Sequence, residues 1–185
     1  MEWVLLGVVV LLLLWLVVVY NRLVALRQTV GQAWADIEVQ LKQRHDLVPN
    51  LVETVKGYAA HERGTLDAVV QARNAAARAQ GPDAAAAAEG QLSGALGRLF
   101  ALSEAYPDLK ANTNFLQLQG ELGGLEGKIA AARRFFNNAV AEFNASIQSV
   151  PAVFFAGSLG FGQRGFFELD AAERAAVQAP PQVKF

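Results

Sequence analysis

The chain has 185 residues, a formal net charge of -1 at pH 7 and no cysteine. The near-neutral balance excludes a bulk electrostatic field that would favour nucleic acid or acidic lipid, and the absence of cysteine excludes disulfides, thiolate catalysis and cysteine-bound metal. The length allows one domain with a core plus an anchor; the hydrophobic content of 53% overstates that core, because part lies in the first segment and much of the rest is alanine, a helix former that buries little area.

Residues 3–20 carry no charge and are almost all Val or Leu. A helix of that length spans about 27 Å, close to the hydrocarbon thickness of a bilayer. Trp3 and Tyr20 stand at its two ends, where amphipathic rings prefer the interface. The run is too long for the apolar region of a cleaved signal peptide, and neither a basic leader nor a small-residue cleavage pattern accompanies it. Residues 1–20 are therefore read as a transmembrane anchor whose partner is the lipid bilayer. Arg22, Arg27, Lys42 and Arg44 follow the run and only Met1 and Glu2 precede it, so the positive-inside bias places the N-terminus outside and the rest in the cytoplasm.

Beyond Tyr20 the continuous apolar pattern becomes periodic. Leu23, Leu26, Val30, Trp34, Ile37 and Leu41 recur at steps of three and four, the stripe of an amphipathic helix. No strong break separates this stripe from the anchor, so the transmembrane helix is expected to run into the first soluble helix. Pro49 lies inside the helical stretch 45–61 and predicts a kink or local break. Residues 62–78 read as helical, with Leu66, Val69 and Val70 as the apolar face, and Gly81-Pro82-Asp83 reads as a turn into a new helix. Residues 84–105 form that helix, faced by Leu92, Leu96, Leu99 and Leu102, and Tyr106-Pro107-Asp108 ends it. Asn112 and Asn114 are expected to cap the next helix and shape its turn. That helix carries a long seam through Phe115, Leu118, Leu122, Leu125, Ile129, Ala132, Phe136, Ala139 and Phe143, a pattern that packs against neighbours at shallow angles.

Val150-Pro151 closes the seam, and a Phe- and Gly-rich stretch follows. The fold class is thus all-α: a transmembrane helix continuing into an antiparallel up-down bundle of long helices over 21–150, then a segment over 151–185 that packs on the bundle and ends in an extended tail through Pro180 and Pro181.

Four stretches resemble the LemA family of bacterial membrane proteins. They are Tyr20-Asn21 with Leu23-Val24; Arg44-His45-Asp46-Leu47-Val48-Pro49-Asn50-Leu51-Val52, continuing through Val55-Lys56-Gly57-Tyr58 to His61-Glu62; Tyr106-Pro107-Asp108-Leu109-Lys110-Ala111-Asn112, running to Phe115, Leu118 and Leu122; and Ala132-Arg133-Arg134-Phe135-Phe136-Asn137 with Phe143-Asn144, Ile147 and Pro151. Gly160-Phe161, Phe166-Phe167-Glu168 and Val183-Lys184-Phe185 are also similar. Phe136 and Phe143 depart from the pattern, which expects tyrosine there. The resemblance implies a single N-terminal span and a cytoplasmic helical bundle in the bacterial inner (cell) membrane, and it implies no particular molecular activity.

The chain carries few residue patterns that point to chemistry. A di-metal bundle site needs Glu-x-x-His on facing helices; Lys42 stands three residues before His45 and Tyr58 three before His61, so no metal and no cofactor is expected. Gly123-Gly124-Leu125-Glu126-Gly127-Lys128 lies inside the seam helix with no strand before it, unlike a phosphate loop. The most loaded stretch is Arg44, His45, Asp46, Pro49, Asn50, Glu53 and Lys56. A proline frees a backbone carbonyl that polar side chains can bind. The functional reading is a polar binding site or subunit contact there; the plainer one is that these groups satisfy each other within the bundle. Phe154, Phe155, Phe161, Phe166 and Phe167 form a second candidate segment, with packing on the bundle end as its first reading, partner docking next and membrane contact last.

The expected function is a non-enzymatic, membrane-anchored interaction module or self-assembling scaffold. Its expected partners are a second copy of the chain or a membrane or cytoplasmic protein, with no nucleic acid. The alternative is a ligand-sensing or enzymatic bundle using residues 44–56.

Overall fold

The computed structural model describes residues 1–168. The extended tail through Pro180 and Pro181 and the closing Val183-Lys184-Phe185 lie outside the described residues. The first element, α1, is one uninterrupted helix over Glu2–Lys56. Its 55 residues correspond to about 82 Å at the usual helical rise. The apolar run and the first bundle helix are therefore a single rod, in line with the unbroken pattern across Tyr20. The expected local break at Pro49 is not found: residue 49 sits inside α1. The lost amide bond is offset by a side chain from a neighbouring helix, described below.

The exposure of α1 changes sharply along its length. Residues 3–18 are exposed all round, and this part is long and apolar enough to cross a membrane. From Leu23 onward one face is buried, through Val30, Ala33, Ile37, Leu41, Val48, Leu51 and Val55. A helix apolar on every side has no water-facing surface and suits hydrocarbon; one with a single apolar stripe suits a bundle.

Three further main helices complete the bundle. Helix α2 spans Arg63–Ala76 and α3 spans Pro82–Ser103. A single turn, α4, covers Pro107–Lys110, and α5 runs over Thr113–Gln148. Asn112 caps α5, its side-chain oxygen accepting from the Phe115 amide at 3.0 Å. The helices alternate in direction. Arg73, near the end of α2, reaches His45, and Phe100, near the end of α3, stacks on Phe115 at the start of α5. The end of α5 returns to the level at which α1 leaves its apolar run, where Ile147 and Phe143 share a core with Leu23.

Two apolar cores divide the bundle along its axis. The proximal core, next to the apolar run, joins Leu23, Ile37 and Leu41 of α1 to Ile129, Phe136, Val140 and Phe143 of α5. The distal core joins Val48, Leu51 and Val55 to Leu66, Val69, Leu92, Leu99, Leu109, Phe115 and Leu122. Arg44 and His45 lie in the break between the two cores, after Leu41 and before Val48.

After α5 a single 3₁₀ turn at Ala152–Phe154 reverses the chain. The segment then climbs beside α1 and α5. Phe161 packs on Tyr20 and Phe143, and Phe167 packs on Trp34. Asn144 and Asn137 hold its backbone: each donates its amide to a carbonyl and accepts an amide proton, Asn144 with Arg164 at 2.9 Å both ways, Asn137 with Phe167 at 3.0 and 2.9 Å. Seven residues of helix rise about 10.5 Å, and three residues of extended chain cover about 10 Å. The two spacings match, so one face of α5 offers two strand-like rungs.

Candidate functional site

A charged cluster occupies the gap between the two cores. Arg44 is only 3% exposed and His45 8%, on adjacent positions of α1. Glu89, from α3, is 6% exposed and answers both. Arg44 Nη1 donates to Glu89 Oε2 at 2.9 Å, and His45 Nε2 meets Glu89 Oε1 at 2.5 Å. Arg44 Nη2 donates to Ser93 Oγ at 2.8 Å and approaches Glu126 Oε1, on α5, at 2.7 Å. Three helices are thereby tied at one level. A buried ion costs several kcal/mol in lost solvation unless partners surround it, and here one carboxylate bridges two bases while a second serves Arg44 from the rim. Arg44 Nε and Gln40 Oε1 are buried and have no hydrogen-bond partner among the described residues.

The fourth helix joins from the other side. Pro49 has no amide proton, so the carbonyl four residues earlier, that of His45, loses its helical donor. Arg73 Nε donates to that oxygen at 3.0 Å. Arg73 replaces the missing backbone bond, which is why α1 continues unbroken through its proline.

The remaining members of the sequence-read cluster are not brought together with Arg44. Asp46 pairs with Lys42 at 2.6 Å one turn away, with both side chains mostly in water. The Lys42 hydrogen bond holds the Asp46 carboxyl below its ordinary value against an opposing effect of burial, helped by the charges of Lys42, Arg73 and His45. Glu53 and Lys56 pair at 3.2 Å, also exposed. Asn50 is exposed and its carbonyl accepts from Thr54 Oγ1 at 2.8 Å. The stretch thus divides by helix face: Arg44 and His45 face inward, while Asp46, Pro49, Asn50, Glu53 and Lys56 face solvent.

Glu89, Ser93, Glu126 and Arg73 complete the cluster and were not singled out from the sequence. A sequence signal marks two of them, Glu89 and Arg73. Glu89 interrupts an apolar stripe through Ala85, Leu92, Leu96 and Leu99, and Arg73 continues the stripe of Leu66 and Val69. A charge within a buried stripe calls for a partner. A cleft of about 250 Å³ borders the cluster, lined by Arg44, Glu89, Ser93 and Glu126 together with Arg133 and Glu168.

The second candidate segment also divides. Phe161 and Phe167 are buried and Phe155 is half-buried. Phe166 and Phe154 are exposed, the latter by 81%.

The model of the LemA family matches residues 33–185. Among characterised proteins, the magnetosome protein MamQ of Magnetospirillum gryphiswaldense is 25% identical over 187 residues, covering 87% of this chain and 69% of that protein. Magnetosome proteins MamQ 1 and MamQ 2 of Paramagnetospirillum magneticum are each 24% identical with the same coverage.

Proposed function

The chain belongs to the LemA family, and on that premise we propose that it is a membrane-anchored, non-enzymatic interaction module or self-assembling scaffold. That it is a membrane-associated helical protein follows from its family, its relatives and the apolar run at the start of α1. The observation that carries the finer reading is the continuity of α1 from the apolar run to the distal core. A helix without a break has no hinge at the membrane surface, so the bundle turns only as the membrane segment turns, which suits an assembly better than a freely tethered domain. The charged cluster supports a non-enzymatic reading. Its buried groups already engage one another, whereas a catalytic set presents its groups to a reactant.

The proposed location is the bacterial inner membrane, crossed once, with the N-terminus outside and the bundle in the cytoplasm. Arg22, Arg27, Lys42 and Arg44 support that direction.

The test is the native mass of the full chain in mild detergent, beside a form beginning at Asn21. Residues 3–18 are exposed along their whole length; the truncation also takes Val19 and the Tyr20 ring from the edge of the proximal core, and leaves every buried residue of both cores in place. A discrete large assembly supports the scaffold reading, and its loss on truncation places the contact in the anchor. A monomer in both forms overturns self-assembly.

A further inference from the structure

Among the described residues beyond Tyr20, Phe154 is the most exposed large apolar side chain. Val150, Val153 and Leu159 are exposed beside it in sequence. The same ten-residue reversal also carries Ala152 and Ala156, which are buried in the proximal core with Leu23, Ile147 and Phe161. Val19 packs against that core, and the Tyr20 ring lies 5.7 Å from the ring of Phe161. The reversal is thus fastened at the level where α1 leaves its apolar run. Its exposed side chains flank the place where a bilayer surface meets α1.

The charge pattern at this level fits a lipid surface. No Asp or Glu occurs over residues 143–167, and none over residues 3–35. The charged side chains in those two stretches are Arg22, Arg27 and Arg164, and the Arg27 guanidinium lies over the Phe161 ring at 5.1 Å. Carboxylates would be repelled by anionic headgroups and costly to desolvate; arginines and aromatic rings suit that layer.

We infer that residues 150–159 form a second, shallow membrane contact, with Val150, Val153, Phe154 and Leu159 entering the boundary between headgroups and acyl chains beside α1. The inference rests on the membrane-anchored reading above. The occupant is the bilayer because the patch continues, at the same level, the apolar surface that α1 gives to it. Two contacts fix the tilt of the bundle, where one helix alone would leave tilt to the lipid.

The chain has no cysteine, so single labels need no background removal. Full-length Phe154→Cys, Leu159→Cys, Gly7→Cys and Gly120→Cys variants, each carrying an environment-sensitive fluorophore, are placed in vesicles of phosphatidylcholine and phosphatidylglycerol. Gly7 and Gly120 have open space at Cβ, and Phe154 and Leu159 are exposed, so none of these changes disturbs a core. The inference predicts that lipid bearing a nitroxide near the headgroup quenches the Phe154 and Leu159 labels several-fold more than the Gly120 label. Quenching at Gly7 with Phe154 and Leu159 behaving like Gly120 overturns the second contact and leaves the anchor standing. No quenching at Gly7 overturns anchor and second contact together. Phe154 shielded from aqueous iodide yet untouched by the lipid quencher assigns the patch to a second copy of the chain, and also overturns the inference.

Discussion

Arg44 and Glu89, 45 positions apart in the chain, meet at 2.9 Å with both side chains withdrawn from water. The pair sits where two apolar cores leave a gap, and it fixes the register of α3 against α1. Neutralising Glu89 leaves Arg44 with Ser93 and the half-exposed Glu126 alone. Glu89→Gln is expected to lower stability by about 2–3 kcal/mol, below the cost of a fully uncompensated buried charge because Glu126 remains. Glu126→Gln, at a half-exposed partner of the same arginine, is expected to cost under ~1 kcal/mol. Urea unfolding of the form beginning at Asn21 measures both, and equal costs would contradict the bridging role given to Glu89.

Arg73 is expected to matter because of Pro49. Arg73→Leu leaves the His45 carbonyl without its donor and should cost roughly 1–3 kcal/mol. Pro49→Ala restores an amide proton at position 49, and in that background Arg73→Leu should cost distinctly less. A double-mutant cycle reads the difference directly; the same cost in both backgrounds would mean that Arg73 does not stand in for the missing bond.

The two asparagines of α5 are expected to control the segment that follows it. Asn137→Ala and Asn144→Ala each remove two hydrogen bonds to its backbone. Loss of about 1.4 kcal/mol of local stability raises the open population roughly tenfold, and proteolysis of a rapidly opening segment follows that population. Cleavage by trypsin after Arg164 should accelerate accordingly, while cleavage within α5 stays slow. An unchanged rate would show that Phe161 and Phe167 alone hold the segment down.

Tyr106 makes a pH-dependent contribution to stability in the alkaline range. Burial raises its hydroxyl above the ordinary value of 10.0, and the charge and hydrogen bond of Glu62 add to the shift. The folded state therefore keeps a proton that the unfolded chain releases first. This contribution is complete below the ordinary value and is lost as pH rises towards the raised one. Tyr106→Phe should flatten that part of the stability curve relative to the parent, as thermal unfolding across alkaline pH would show. A parallel curve would mean that Tyr106 titrates alike in both states.

The all-α class, the membrane-length run and the passage of α1 across Tyr20 were legible because helical periodicity is a local signal. Asn112 was legible as a cap for the same reason: its partner, the Phe115 amide, is three residues away. Of the kink or local break expected at Pro49 the break does not occur, and the group that replaces its hydrogen bond lies on α2, 28 residues from His45, beyond the reach of any local signal. The loaded stretch 44–56 looked like one cluster in the sequence, yet helical geometry turns Arg44 and His45 inward and Asp46, Asn50, Glu53 and Lys56 outward. Their true partners, Glu89 and Glu126, come from helices whose register no single stretch encodes. Asn137 and Asn144 stood in plain view beside Phe136 and Phe143; their role depends on an extended segment whose path only tertiary packing defines.

The central claim is that membrane segment and bundle form one rigid body through α1. Gly7 and Gly31 bracket the passage from the apolar run to the bundle, and both have open space at Cβ. Spin labels on a Gly7→Cys/Gly31→Cys form of the full chain, reconstituted in vesicles, report the distance between them. An unbroken helix predicts one narrow distribution centred near ~36 Å, the rise over the 24 intervening steps. A broad distribution, or one shifted well below that distance, would mean a hinge near Tyr20 and would contradict the account.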